Sequence, residues 1–578
     1  MRALKNIMSA TAMFLLGATA WGAMPQGDVF ASFVTQKGLR AKEGERWAQV
    51  YVKSSVTTDT VYMQFGESAD IDTLPLPKAN TLYNIKKSNL SGGDILVRIW
   101  AAQTVWFLNI NNNDATSFTP GTCGTSVREF RCENDSLRNM DFLPRMTALE
   151  YLVCSNNRSV KSVTLTTPAL QRIQLNKMPA LEKITMAGPE IYEFKVDQPL
   201  VTKIDFSGCP KIKTLLVSNA PNLTDVVLGE GAALESATFG GCTALKTLAF
   251  RDMPKLKTLA IYDNSSLSEV KLANLPALSN LNLRENALPA LTLSGFPALT
   301  TVNISGNNYS ELLLDNPSIT SVTLDKCVLD SVDLTKLTKL RSCYIRNGNV
   351  SALGLSDDAM QNTLTTMVLT DSRFGISQLP ARPKKMNATL NYYAPQAQPV
   401  IPASIKAGET LDLSRWAVGH TLADGNVASE YKWETIFEEV LQEGTDYTVA
   451  DGKFTFKHEI EDSVRCFITN TAFPAFARTV DSKGNVTDYR IITNYMVVSK
   501  GGGVSEITDF LIPTSRTPSS LHSPLWTDAS WPRTKGRYPS SQPKASASPT
   551  ATSVPASTLP CPPEVEPSKS KSNKRNSP

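Results

Sequence analysis

A six-residue phrase, Leu-x-x-Leu-x-Leu, returns every ten to twelve residues across nearly half of this 578-residue chain. Leu278-Leu281-Leu283, Leu299-Val302-Ile304 and Ile319-Val322-Leu324 are clear copies. Self-similarity at a fixed period constrains the fold more than any single residue, because each copy is one unit that buries its apolar side only against its neighbours. The phrase heads run from Val105, Ala115, Val127, Leu137 and Leu149 through Ile191 and Leu256 to Val350, with Leu364-Met367-Leu369 as a last copy. Pro often stands two residues before a head, as at Pro168, Pro179, Pro210, Pro254, Pro276 and Pro297. Pro cannot donate to a ladder, so it marks the corner before each strand. Asn and Gly fill the other corners, as in Ser155-Asn156-Asn157 and Gly306-Asn307-Asn308.

One phrase makes one short strand, whose second and third apolar residues point inward while their neighbours point out. Ten or eleven residues are too few for a helical crossover, so the chain is read as mainly β. Two phrases make one turn of 21 or 22 residues, which gives about twelve turns and, at ~4.8 Å per stacked strand, a rod ~55–60 Å long. The pattern resembles the leucine-rich repeat family. More narrowly it is similar to the nested-period bacterial repeats, common in secreted proteins of the Bacteroidetes, in which both halves of the turn carry the motif. Leu149 to Asn157 (LEYLVCSNN) is the closest local match, and the resemblance covers about residues 105–375. It implies a right-handed β-solenoid with two short parallel sheets. The corner Asn is often replaced, and Ile191-Tyr192-Glu193-Phe194 is read as lacking a clean frame.

Outward positions decide what such a rod offers. The candidate ligand surface on one face is Tyr151, Arg172, Gln174, Glu193, Lys195, Thr214, Ser236, Thr258, Asn280, Asn282, Thr301, Asn303 and Tyr344. From Thr214 onward that face carries no charge, and it reads either as a hydroxyl and amide platform for a protein or glycan, or as polar residues that simply ladder well between strands. Aromatic residues that would form a sugar-stacking stripe are absent from the middle of the array. The opposite face is more charged, with Lys183, Lys203, Asp205, Asp225, Glu269, Lys271, Glu311 and Asp333.

Catalytic readings find little to stand on. The chain has three histidines, His420, His458 and His522, none of them in the repeats, so the usual general base is missing from the largest region. No phosphate loop, nucleophile elbow, His-Glu-x-x-His or calcium loop occurs. Nine cysteines show no disulfide or zinc spacing. Cys132, Cys154 and Cys343 occupy inward slots of the phrase, and Cys209, Cys242 and Cys327 fall eight residues into their units, at the turns. No catalytic residue, metal ligand or cofactor is expected. The formal charge is +4, with no Lys/Arg cluster in the repeats to suggest nucleic acid.

Five segments follow. Residues 1–23 read as a signal peptide: Arg2 and Lys5 precede the apolar run from Ala10 to Gly17, and Ala18-Thr19-Ala20 fits a cleavage site. That run is too short to span a membrane, and no later one is long enough. Residues 24–104 alternate as strands do and are well placed to cap the open end of the 105–380 solenoid. Residues 386–499 read as a separate β-sandwich, in which Trp433 and Cys466 sit where an immunoglobulin-like domain places its core Trp and second Cys. No first Cys precedes Trp433 at a suitable distance, so the resemblance is to disulfide-free Ig-like modules. Residues 500–578 form a tail rich in Ser, Pro and Lys. Its opening, Gly503-Val504-Ser505-Glu506-Ile507, resembles the start of a type IX secretion sorting domain. In an alternative reading frame, Trp526 to Trp531 permits Asp-Gly-Arg followed by two aliphatics, and Lys544 to Thr552 permits a terminal Gly-Ile-x-Ile strand. Both phrases resemble that family, so a frameshift between about Thr508 and Leu525 is expected. The functional expectation is an exported, non-catalytic recognition or adhesion protein that binds a protein or glycan, host extracellular ones included, at the cell surface or in the medium, or in the periplasm if the sorting domain is lost. A ligand-free structural spacer and a substrate-holding accessory module are the alternatives.

Overall fold

The fold was obtained as a computed structural model and describes residues 27–500 except 37–46, 69, 91–92, 424, 475–478, 481–485 and 489–490. The signal-peptide reading, the tail from residue 501 and His522 lie outside the described residues. The repeats form a β-solenoid of about twelve turns. Along one flank a single 15-stranded sheet runs the length of the array, from Tyr83–Lys87 at one edge to Thr366–Val368 at the other. Its repeat strands are parallel and in register, as with Thr258 opposite Asn280 and Leu259 opposite Leu281. Within each strand the period-two alternation separates core from surface. Leu259 and Ile261 are wholly buried, while Thr258 and Ala260 face out. Each such aliphatic contributes about 1.5–3 kcal/mol by leaving water.

The opposite flank corrects the expectation of two matching sheets. It carries five separate two-stranded pairs, the first Ser162–Leu165 with Lys183–Met186 and the last Ser331–Leu334 with Ala352–Leu355. Ladder bonds need a spacing near 4.8 Å at every junction. Two further phrases depart from the pattern. The one headed by Leu137 yields no strand, although Met140 and Phe142 still point inward, and a short 3-10 helix, Leu143–Arg145, follows them. Ala115–Pro120 is a strand, but it pairs antiparallel with Ala31–Thr35 rather than with a repeat. The Ile191 phrase, read as out of frame, is in frame. Ile191, Phe194 and Val196 are all buried, and Glu193–Asp197 pairs with strands on both sides.

Two devices turn the chain at the end of each strand of the continuous sheet. The first is a residue in the left-handed region seven positions after the head: Asn112, Asn134, Asn156, Lys177, Gln198, Asn219, Asp263, Glu285, Lys326, Asn347 and Asp371, with Gly241 and Gly306 at the two remaining turns. Asn and Asp tolerate that conformation best; Lys, Gln and Glu hold it at about 1–2 kcal/mol each. The second is the next residue, whose side chain turns inward. Asn157, Asn264, Asn286 and Asn307 are buried there. Asn286 donates through Nδ2 to the carbonyls of Ile261 (2.8 Å) and Leu283 (2.7 Å), and its Oδ1 accepts from the Asn264 backbone N–H (3.1 Å). Asn264 repeats the arrangement one turn earlier, donating to Phe239 O and accepting from Cys242 N. Cys242 and Cys327 fill the same position at other turns, with only long thiol contacts to carbonyls.

Both ends of the array are covered. Ala48–Ser54 pairs antiparallel with Val105–Asn109, the first repeat strand, and Tyr83–Lys87 lies beyond it. After Thr366–Val368, Leu369 N and Asp371 N donate to Tyr392 O and Pro395 O, at 2.6 and 2.7 Å, as though to one more turn. There Gln396 substitutes for the corner Asn. Its Nε2 donates to Leu369 O and Tyr393 O, and its Oε1 accepts from Phe374 N. The chain then forms a second β-region, in which Glu430–Thr435 pairs with Ile460–Thr469 and Trp433 lies opposite Cys466. Trp433 is fully buried and packs edge-on against Phe454 and Phe456 of another sheet. Arg415 ties this region to the last turns through Gln378 and the carbonyl of Arg373.

Replacing Asn286 by Ala strands two buried carbonyls and one N–H. The expected cost is about 3 kcal/mol, with an Asn280→Ala control on the outward face within about 0.5 kcal/mol of the parent. Denaturant unfolding of the two variants checks this, and equal midpoints would remove the corner amide from its central place.

Candidate functional site

The thirteen candidate surface residues all fall on the outward face of the continuous sheet, in two columns. Tyr151, Arg172, Glu193, Thr214, Ser236, Thr258, Asn280 and Thr301 are consecutive register partners in the first. Gln174, Lys195, Asn282, Asn303 and Tyr344 belong to the second. Tyr151 and Tyr344 are nine rungs apart, roughly 43 Å, so no small molecule reaches the whole set.

Hydroxyl ladders do exist, but in a different column. Ser279, Thr300, Thr320 and Thr365, each one residue after a phrase head, donate through Oγ to the carbonyls of Lys257, Ser279, Thr300 and Arg341 one turn back. Among the described residues no side-chain hydrogen bond joins Thr214, Ser236, Thr258, Asn280 or Thr301 to a neighbouring turn. Asn282 and Asn303 use their Oδ1 only for local turns, accepting from the N–H of Arg284 and Ser305. The polar groups of the middle of the face are therefore not consumed by the scaffold.

The neutral strip is narrower than the sequence suggested, because charged rows flank it. On one side lie Lys213, Glu235 and Lys257, the last two paired at 3.7 Å. On the other, Arg284 pairs with Asp263, and Arg346 grips Asp325 through both Nε and Nη2. Arg284 also lies 4.8 Å from the ring centroid of Tyr262, and Arg346 lies 5.5 Å from that of Tyr344. On the opposite flank Lys203 pairs with Asp205 and Lys271 with Glu269.

The first turns carry a different surface. Trp106, Arg128, Glu150, Gln171 and Tyr192 form one row, each N–H donating to the carbonyl of the residue before it in the row at 2.8–2.9 Å. Beside it the Arg172 guanidinium lies 4.0 Å from the centroid of Tyr151, with Arg131 5.9 Å from the same ring and 5.8 Å from that of Phe107. Between this row and the N-terminal strands lies a groove of about 590 Å³, also lined by Asn80, Gln103 and Thr104. Trp106 is fixed at its mouth by Lys53, 5.4 Å from its ring, and by donation from Nε1 to Asn80 Oδ1 at 3.0 Å. Of the sequence-derived surface, Tyr151 and Arg172 belong to this groove. Trp106, Arg128, Tyr192 and Asn80 were missed, although Trp106 and Tyr192 each stand one residue after a phrase head and could have been found from that spacing.

The groups that could do chemistry are elsewhere or inert. Among the described residues no cluster of three His, Cys, Asp or Glu side chains could hold a metal, and no helix is long and apolar enough to cross a membrane. His458 meets Asp446 at 3.1 Å and His420 meets Asn426 at 2.9 Å, both at the surface of the C-terminal β-region. All eight described cysteines are free and buried, including the six placed from the sequence at inward slots and turns. Burial pushes Cys123 and Cys343 up to about 12, and Cys242 and Cys327 up to about 11.

No protein-family model and no curated protein matches this chain. Among solved structures it is similar to the functional domain of InlJ from Listeria monocytogenes, which includes a cysteine ladder, at 14% identity and a TM-score of 0.34, over 68% of this chain and 91% of that one. It is similar to YopM from Yersinia enterocolitica WA-314 at 17% identity and a TM-score of 0.23, over 52% and 85%. It is also similar to TLR13 in a complex with ssRNA13, at 13% identity and a TM-score of 0.25, over 47% and 50%.

A thiol with a pKa near 11 is only about 0.1% thiolate at pH 8. In the reduced native protein the eight buried cysteines are expected to react slowly with Ellman's reagent, and all nine cysteines quickly after unfolding in guanidinium. Two or more fast thiols in the native chain would show that at least one of the eight is an accessible nucleophile.

Proposed function

We propose that this chain is an exported, non-catalytic recognition protein whose continuous sheet face binds an extended macromolecular ligand, a protein or a glycan, with a protein favoured. The observation that carries the reading is the set of hydroxyl and amide groups on the outward columns from Thr214 to Asn303, none of which bonds through its side chain to a neighbouring turn. They are repeated at ladder spacing and bordered by charged rows that fix orientation. A face of this length suits a partner that makes many weak polar contacts along it. In this proposal residues 1–23 direct export, the N-terminal strands act as the cap, and the Trp433 region is an Ig-like module serving as spacer or second binder. The tail from residue 501 governs whether the product reaches the surface, is released or stays periplasmic.

The test uses the full chain immobilised against a panel of purified extracellular proteins and glycans, with a variant carrying Thr258→Arg, Asn280→Arg and Thr301→Arg. These side chains point outward, so the variant should stay folded, with its thermal midpoint lowered only by repulsion between arginines on adjacent rungs. A binder is expected to lose at least about tenfold in affinity, about 1.4 kcal/mol. If every interaction, and any cell aggregation the protein causes, survives the three arginines, the face is scaffold and the structural-spacer reading replaces this one.

A further inference from the structure

The groove beside the first turns is chemically unlike the rest of the face. We propose that it is a second binding site, for a neutral oligosaccharide, in addition to the macromolecular face from Thr214 onward. At about 590 Å³ the space lies within the range of small-ligand clefts. Its wall combines aromatic surface, Trp106 and Tyr192, with groups that both donate and accept. Sugar rings present the same combination: an apolar C–H face that stacks on an aromatic ring, and hydroxyls that donate and accept at once.

Charge decides against the nearest alternatives. Arg128 is paired with Glu150 at 3.7 Å, and Arg131 beside the groove is paired with Glu129 at 2.6 Å. Among the lining residues two guanidinium groups, Arg128 and Arg172, are balanced by two carboxylates, Glu129 and Glu150, so the wall itself carries no net charge to draw a polyanion. A protein side chain seeking an apolar pocket meets amides and hydroxyls instead. Trp106 is held in place by Asn80 and Lys53, so the stacking surface is rigid before a ligand arrives.

The experiment titrates the full chain with trisaccharides of glucose, mannose, galactose and N-acetylglucosamine, and with heparin as the polyanion, by calorimetry. The variants are Tyr192→Ala, Trp106→Phe and the outward-face control Asn280→Arg. At least one neutral trisaccharide is expected to bind. Tyr192→Ala should weaken it by about tenfold or more, Trp106→Phe should weaken it less, and Asn280→Arg should leave it unchanged. Tyr192 is part-exposed and its hydroxyl carries no hydrogen bond among the described residues, so its removal leaves the scaffold standing. Trp106→Phe keeps an aromatic ring in case the cap depends on one. The proposal is overturned if no neutral trisaccharide binds at about 5 mM, if heparin binds and the neutral sugars do not, or if binding survives Tyr192→Ala. Loss only in Asn280→Arg would move sugar binding to the long face and overturn the groove while leaving the proposed function intact.

Discussion

The inward-turned amide at the corner is the interaction on which the rest of this molecule depends. A coil of parallel strands must leave each strand through a bend where the backbone cannot pair with itself, and the bend is buried under the next turn. Unpaired carbonyls there would cost about 1–3 kcal/mol each. Asn supplies two donors and an acceptor from one short side chain, so Asn264, Asn286 and Asn307 connect consecutive turns without adding volume. Where the position holds Cys242 or Cys327 the bend is filled by a small apolar group with weak contacts instead. The array therefore mixes firmly tied turns with turns held mainly by packing, and its stability is a sum of neighbour terms rather than of one core.

The left-handed residue just before each corner separates scaffold from surface. Because the bend is set by backbone conformation and by the inward amide, nothing in it depends on the side chains that face out of the strand. Tyr151 and Thr258 occupy equivalent rungs of the same ladder, yet one lies in an aromatic and guanidinium stack and the other on a bare polar strip. This independence lets one backbone carry two chemically distinct surfaces a few rungs apart.

Much of this was legible in the letters. The phrase gave the strands, their inward residues and the corner cysteines, because a period of eleven with two inward apolar positions admits few other arrangements. The Ile191 phrase looked misframed because Phe194 was not weighed as the middle apolar residue, yet an aromatic fits that slot when the facing residues leave room, as Phe206 does at 5.5 Å. The break-up of the second sheet could not be read, since both flanks carry the same phrase. Residues of the groove were visible singly, but Asn80 meets Trp106 across 26 positions of sequence through an antiparallel cap whose register no local pattern sets. The charged rows beside the neutral strip follow from the same ladder and were missed because only two outward columns were counted.

The direction of the ladder has a mechanical consequence. Strands lie across the rod, so their hydrogen bonds run along it, and tension between the two ends loads one junction after another instead of a whole sheet in shear. Each turn that peels away exchanges a rise of about 4.8 Å for roughly 22 residues of extended chain, on the order of 75 Å. The covered ends, Ala48–Ser54 at one side and the Gln396 segment at the other, are where such peeling must begin. A tethered chain of this build would yield in small steps and lengthen greatly before it parted.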